Sequence, residues 1–106
     1  MQVPKPSHKR RVPKQSKRNE FSKKVRKDIF ERDNGQCQMC LGKGEEIHHV
    51  MLRARNGRGV PNNGLTLCHN CHRRVHDENG LIDYWIDVFT ERYGHGFWMD
   101  EYDKER

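Results

Sequence analysis

Long apolar runs are missing from this chain. No stretch approaches the length of a membrane span, and the N-terminus has no apolar region of the kind that opens a secretory signal. No membrane partner is expected, and the expected location is a reducing cytoplasm. Apolar residues are scarce altogether: 32% of the chain is hydrophobic and the mean hydropathy is −1.18. With 106 residues there is room for one small domain at most. So short and polar a chain buries only a modest core, and an additional staple is expected. Cysteine is sparse too, but its four copies are paired, and in a reducing compartment such pairs bind metal more often than they form disulfides.

The net charge of +6 conceals an asymmetry. Residues 1–28 hold eleven Lys/Arg against Glu20 and Asp28, whereas residues 29–106 hold ten against thirteen Asp/Glu. The basic character therefore belongs to an N-terminal arm, and it points to a polyanion, nucleic acid first. Residues 1 to about 20 mix Pro4, Pro6 and Pro13 with Lys, Arg, Ser and Gln, and read as disordered in isolation. Lys9, Arg10, Arg11, Lys14, Lys17 and Arg18 are candidate phosphate contacts, which add salt-sensitive, sequence-blind affinity. The plainer reading is a solubilising tail.

Beyond the arm, Ser22 is a plausible N-cap for a helix over about 23–33, ended by Asn34-Gly35. Val25, Ile29 and Phe30 share a face of it, with Lys23, Lys24, Arg26 and Lys27 around the rest. Glu46 to Leu52 is short and β-branched enough for a strand, and Leu65-Thr66-Leu67 for a second. Between them 53–64, with Arg53, Arg55, Arg58 and several glycines, reads as a loop. A helix should open at Cys68 and stop at Asn79-Gly80. Another runs from Leu81 to about Arg92, with Ile82, Trp85, Ile86, Phe89 and Tyr93 as a core-facing stripe. The stretch from His95 to Arg106 is acidic and aromatic, with no evident chemistry.

Cys37-x-x-Cys40 and Cys68-x-x-Cys71 supply four thiolates, enough to close a tetrahedral zinc shell. A closed shell leaves no position for water, so such a zinc is structural and contributes to folding. Two disulfides or a redox pair are the competing readings. Zinc does not account for His48, His49, His72 and His76. His72 and His76 are four apart on the expected helix and share a face. His48 and His49 are neighbours on the expected strand, so they point to opposite faces. One of them can approach the helix while the other points away, a division that suits a metal ligand paired with a general base. The plainer alternative is a set of ordinary surface or zinc-shell histidines.

Three ordered blocks sharpen the choice. Glu31-Arg32-Asp33-Asn34-Gly35-Gln36-Cys37-x-x-Cys40 is followed by Ile47-His48-His49-Val50. Then comes Asn63-x-Leu65-x-Leu67-Cys68-x-x-Cys71-His72-x-x-x-His76. Together, over about residues 22–80, they resemble the HNH endonuclease family. The resemblance implies an α+β fold: a small zinc-stabilised ββα-metal domain, treble-clef-like, with flanking helices and the basic disordered arm. It divides the chain into an arm (1–20), an HNH nuclease domain (21–94) and an acidic aromatic C-terminal tail (95–106). By position, His48 resembles the first metal ligand and His49 the general base. Asn63 resembles the residue that braces the loop, His72 the second ligand, and His76 either a third ligand or a phosphate contact.

The implied activity is metal-dependent hydrolysis of DNA phosphodiesters, by nicking or double-strand cutting. It follows a one-metal route that leaves 3′-hydroxyl and 5′-phosphate ends. The cofactors are a structural Zn²⁺ and a catalytic Mg²⁺, Mn²⁺ or Ni²⁺. Imidazole titrates near neutrality, so a neutral His49 can take a proton from water. Arg53, Arg55 and Arg58 in the loop and Arg73 and Arg74 on the helix are candidate phosphate clamps. As solvated surface charges they would need no such role. The expected partner is double-stranded DNA. Small stand-alone proteins of this family occur in bacteria and bacteriophages, some alongside DNA-packaging machinery, so the resemblance implies a bacterial cytoplasm, with phage encoding and DNA-packaging or other phage partners as one context beside restriction and mobile-element roles. The competing functions are a catalytically silent zinc module that binds nucleic acid and a protein-interaction adaptor.

Overall fold

The computed structural model describes residues 12–104. Lys9, Arg10 and Arg11 of the arm lie outside the described residues. Chain order is α1 (Gln15–Arg18), α2 (Lys23–Arg32), β1 (Glu46–His49), β2 (Gly64–Leu67), α3 (His69–Asp77), α4 (Leu81–Tyr93) and α5 (Glu101–Lys104). This is a small α+β architecture around one antiparallel hairpin. No helix among the described residues is long and apolar enough to cross a membrane.

Ser22 caps α2, its Oγ accepting the Val25 N–H at 3.2 Å. Ile29 is fully buried, while Lys23, Lys24, Arg26 and Lys27 are exposed. Asn34 (φ 56°) and Gly35 (φ 64°) turn left-handed and end the helix, and the Gly35 N–H returns to the Phe30 carbonyl at 2.8 Å. At this corner the Arg32 guanidinium grips Asp33 with two contacts of 2.8 Å and also donates to the Gly64 carbonyl at 2.7 Å. Asp33 in turn accepts the Thr66 N–H at 3.1 Å. Burial disfavours that carboxylate, but Arg32 and the Thr66 N–H outweigh it and hold its pKa below the ordinary value. The Arg32-Asp33 pair is thus a bracket between α2 and β2.

In the hairpin, Glu46 faces Leu67, His48 faces Leu65 and His49 faces Gly64. The first strand was expected to reach Leu52 but ends at His49. Beyond it the Asn63 side chain replaces a strand partner, bonding both the N–H and the carbonyl of Met51. The 53–64 connection contains two 3₁₀ turns, Arg53–Arg55 and Pro61–Asn63. Cys68 caps α3, its Sγ taking the Cys71 N–H at 3.4 Å. That helix stops at Asp77 rather than at Asn79-Gly80, because Glu78 is already extended (φ −90°, ψ 129°). Gly80 at φ 88° then turns the chain into α4.

The core joins Val50, Leu65 and Leu67 of the hairpin region to Val75, Trp85, Phe89 and Phe97, together with Cys37 and Cys71. Phe97 belongs to the stretch expected as an acidic tail, and Phe21 is buried as well. Among the described residues nine apolar side chains form this cluster, a small core in keeping with the need for a staple.

Candidate active site

Four sulfurs converge first. The ligand atoms of Cys37, Cys40, Cys68 and Cys71 all lie within 4.8 Å of one another, and all four thiols are free. Sulfurs bound tetrahedrally to zinc at about 2.3 Å sit about 3.8 Å apart. Cys40 Sγ and Cys68 Sγ are separated by 3.8 Å. Backbone N–H groups already point at these sulfurs: Cys40 at Cys37 and Gly42 at Cys40, each at 3.4 Å. Burial raises the Cys37 thiol, but the N–H groups around it prevail and bring its pKa down to about 6. Burial and the neighbouring thiols push Cys71 up to about 12. The group could hold one zinc, and loading it would displace protons from the thiols still protonated.

Three histidines, one from β1 and two from α3, form a second cluster. The nitrogens of His48, His72 and His76 also lie within 4.8 Å of one another. Ring centroids are 5.2 Å apart for His48–His72, 5.3 Å for His48–His76 and 5.2 Å for His72–His76. His48 comes from β1, and the pair from α3 stands one helical turn apart. Exposure rises across the set, from buried His48 through half-buried His72 to exposed His76. One side of the cluster therefore faces solvent.

His48 Nε2 is buried and has no hydrogen-bond partner among the described residues. An orphaned buried nitrogen is costly unless a ligand takes its lone pair. Burial, then the neighbouring His72, His76 and His49, lowers the His48 pKa to about 3, so the ring is neutral and can donate to a cation. His72 Nδ1 lies 2.6 Å from Glu46 Oε1, and His69 Nδ1 lies 2.8 Å from Glu46 Oε2. The carboxylate cannot donate, so Nδ1 carries the hydrogen of this bond and Nε2 is left as the ligand atom of His72. A carboxylate behind a histidine is the usual support of a metal ligand. The donor set thus fits a divalent ion with open positions.

His49 faces the opposite way, as the strand alternation requires. Its ring stacks on Phe21 with centroids 4.0 Å apart, and Nε2 lies 2.6 Å from the Asn19 carbonyl. A carbonyl only accepts, so the ring proton sits on Nε2 and Nδ1 keeps a lone pair. Burial lowers the His49 pKa, against the raising effect of the Asn19 carbonyl and with help from Arg53 and Arg26. The imidazole is neutral in neutral solution and can accept a proton. Asn63, fully buried, bonds the Met51 N–H at 2.7 Å, the Met51 carbonyl at 3.1 Å and the Arg58 carbonyl at 3.0 Å. It ties both ends of the connecting loop behind the strand that carries the two histidines.

The arginines divide. Arg53, Arg55 and Arg73 are exposed, Arg53 reaching the Ser16 carbonyl at 3.3 Å. Arg74 pairs with Glu78 at 2.6 Å on the helix surface. Arg58, expected at a phosphate, is instead buried, its guanidinium held by Asp103 and by Asn19. Local composition marked it as loop surface, but its partners come from distant segments. Two residues at the site escaped the sequence reading. Glu46 had a usable signal, since it lies two positions before His48 and so on the same strand face. Asn19 acts through its backbone carbonyl, for which residue type gives no sign.

Residues 37–78 match the family model described as HNH endonuclease. The matched segment contains all four cysteines, both strands, α3 and His48, His49, His69, His72 and His76. Over this segment the resemblance to HNH endonucleases, with a four-cysteine site beside the hairpin and helix, is established. No curated protein matches the chain.

Proposed function

We propose that this protein is a metal-dependent HNH endonuclease that hydrolyses DNA phosphodiester bonds. One arrangement carries the reading. His48, His72 and His76 converge on one side of β1, and a neutral, oriented His49 stands on the other. A bare zinc module requires neither.

In this reading Cys37, Cys40, Cys68 and Cys71 hold a structural Zn²⁺. His48 and His72, with His76 as third ligand, would hold the exchangeable ion, Mg²⁺, Mn²⁺ or Ni²⁺. That ion supplies charge neutralisation at the phosphate and at the departing 3′ oxygen. His49 Nδ1 takes a proton from the attacking water while Nε2–H stays on the Asn19 carbonyl, so the ring cannot rotate away as it becomes cationic. A bond forms from the water oxygen to phosphorus and the bond from phosphorus to the 3′ oxygen breaks. The products are 3′-hydroxyl and 5′-phosphate ends. Asn63 holds the loop, and with it the strand, in register, and Glu46 orients His72. Exposed Arg53, Arg55 and Arg73 contact phosphates and position the duplex without reading bases. Lys9, Arg10 and Arg11 add non-specific affinity from the arm.

Supercoiled plasmid incubated with purified protein and Mg²⁺, Mn²⁺ or Ni²⁺ tests the reading. Metal-dependent nicked or linear product is expected. Salt-sensitive DNA binding without cleavage under any of these ions would instead identify a silent zinc module.

A further inference from the structure

Three segments distant in sequence are linked in a chain of contacts that ends on His49, and two of them lie outside the HNH-matched residues. The first holds Asn19, whose carbonyl takes the His49 Nε2–H at 2.6 Å. Asn19 is itself buried, its Nδ2 donating to the Arg53 carbonyl at 3.3 Å and its Oδ1 accepting from Arg58 Nη1 at 2.9 Å. The second segment is the loop with Arg58, which grips Asp103 through Nε at 3.0 Å and Nη2 at 3.1 Å. The third is the C-terminal turn. There Asp100 receives Arg18 in two bonds of 2.8 Å, and Asp103 accepts a further Arg18 contact at 2.9 Å. Backbone bonds bind the same segments, Gly59 N–H to the Arg18 carbonyl at 2.8 Å and Arg58 N–H to the Trp98 carbonyl at 3.1 Å. Gly59 is required at this crossing, because a Cβ there would collide with the Glu20 carbonyl.

These are not loose surface pairs. The side chains of Arg18 and Arg58 are 9% and 7% exposed, and two guanidiniums face two carboxylates in a charge-balanced set. Desolvated charges tolerate few geometries, since losing one partner strands another away from water. The set reaches the base through Arg58 to Asn19, and from Asn19 to His49.

We propose that the Arg18–Asp100–Arg58–Asp103 cluster is a clasp that positions the general base, by fixing the Asn19 carbonyl against His49 Nε2 so that Nδ1 faces the substrate water. This inference rests on the nuclease reading above and deepens it. Asn19, Arg58 and Asp103 are positioning residues: none need touch DNA or the ion. The N-terminal segment and the C-terminal turn thereby become parts of the active site rather than appendages to the zinc domain.

The test uses full-length, zinc- and Mg²⁺-loaded protein labelled with ¹⁵N-histidine, comparing wild type with Asp103→Asn and Asn19→Ala. Long-range ¹⁵N–¹H correlation reads the tautomer of each ring, and plasmid cleavage gives kcat and KM. Wild-type His49 should be wholly the Nε2–H tautomer. In both variants the tautomers should mix, with kcat falling on the order of tenfold to a hundredfold, as for a misplaced catalytic group. KM should stay within about twofold, because substrate binding is untouched. The clasp is overturned if His49 remains purely Nε2–H in either folded variant with kcat within about twofold of wild type, whatever the melting temperature does. The two ideas fail separately. Undiminished cleavage by His49→Ala would remove the base role, whereas the tautomer spectra judge the clasp directly.

Discussion

Replacing Asn63 with alanine removes three hydrogen bonds at once, to the Met51 N–H, the Met51 carbonyl and the Arg58 carbonyl. The side chain is fully buried, so its three partners would be left away from bulk solvent. Each bond contributes about 1 kcal/mol net, and more where a buried partner is left unpaired, so the loss is about 3 kcal/mol. For a domain of this size each kcal/mol corresponds to roughly 4–8 °C, and the melting temperature should fall by about 12–24 °C. Asn63→Asp discriminates further. It keeps an acceptor for the Met51 N–H but turns a carboxylate towards two carbonyls, so it should cost at least as much as alanine. Thermal and urea unfolding of zinc-loaded protein measure this, and cleavage should fall with both variants because β1 carries His48 and His49. A shift below about 3 °C for Asn63→Ala, or an Asn63→Asp protein clearly more stable than the alanine variant, would refute the bracing role.

Glu46→Gln should weaken binding of the exchangeable ion about 10- to 100-fold, because His72 loses its carboxylate support, and calorimetric titration with Mn²⁺ reads the change. Cys71→Ser should release the tightly held zinc and disorder α3, seen as lost helical ellipticity, and His72 should lose ion binding with it. Cleavage should also follow the His49 protonation state. Burial lowers its pKa, so the free-base form and the activity persist below the ordinary histidine value of about 6.5 and fall only as pH drops through the depressed one. A pH–rate profile with its acid limb above about 6.5 would contradict that environment.

The zinc pairs and the hairpin–helix order were legible because their signals are local. Two residues between cysteines, alternation along a strand and a four-residue helical spacing each act within one turn or strand. The α4 stripe was legible for the same reason. Strand β1 ended early for a reason no periodicity carries: a side chain, Asn63, substitutes for backbone pairing. The clasp was illegible because Arg18 and its acidic partners are 82 and 85 positions apart. Read locally, Arg18 was one more cation of the arm, Arg58 one more cation of a loop, and Asp100 and Asp103 part of an acidic tail. Only folding brings them together, and burial then makes their pairing obligatory.

If His49 is the base of a metal-dependent phosphodiesterase, cleavage of supercoiled plasmid by wild type and His49→Ala will reveal it. Both proteins should retain zinc and fold, wild type should cut only with a divalent ion, and His49→Ala should lose at least about a hundredfold in rate. Cleavage by rigorously purified His49→Ala at the wild-type rate would contradict the account.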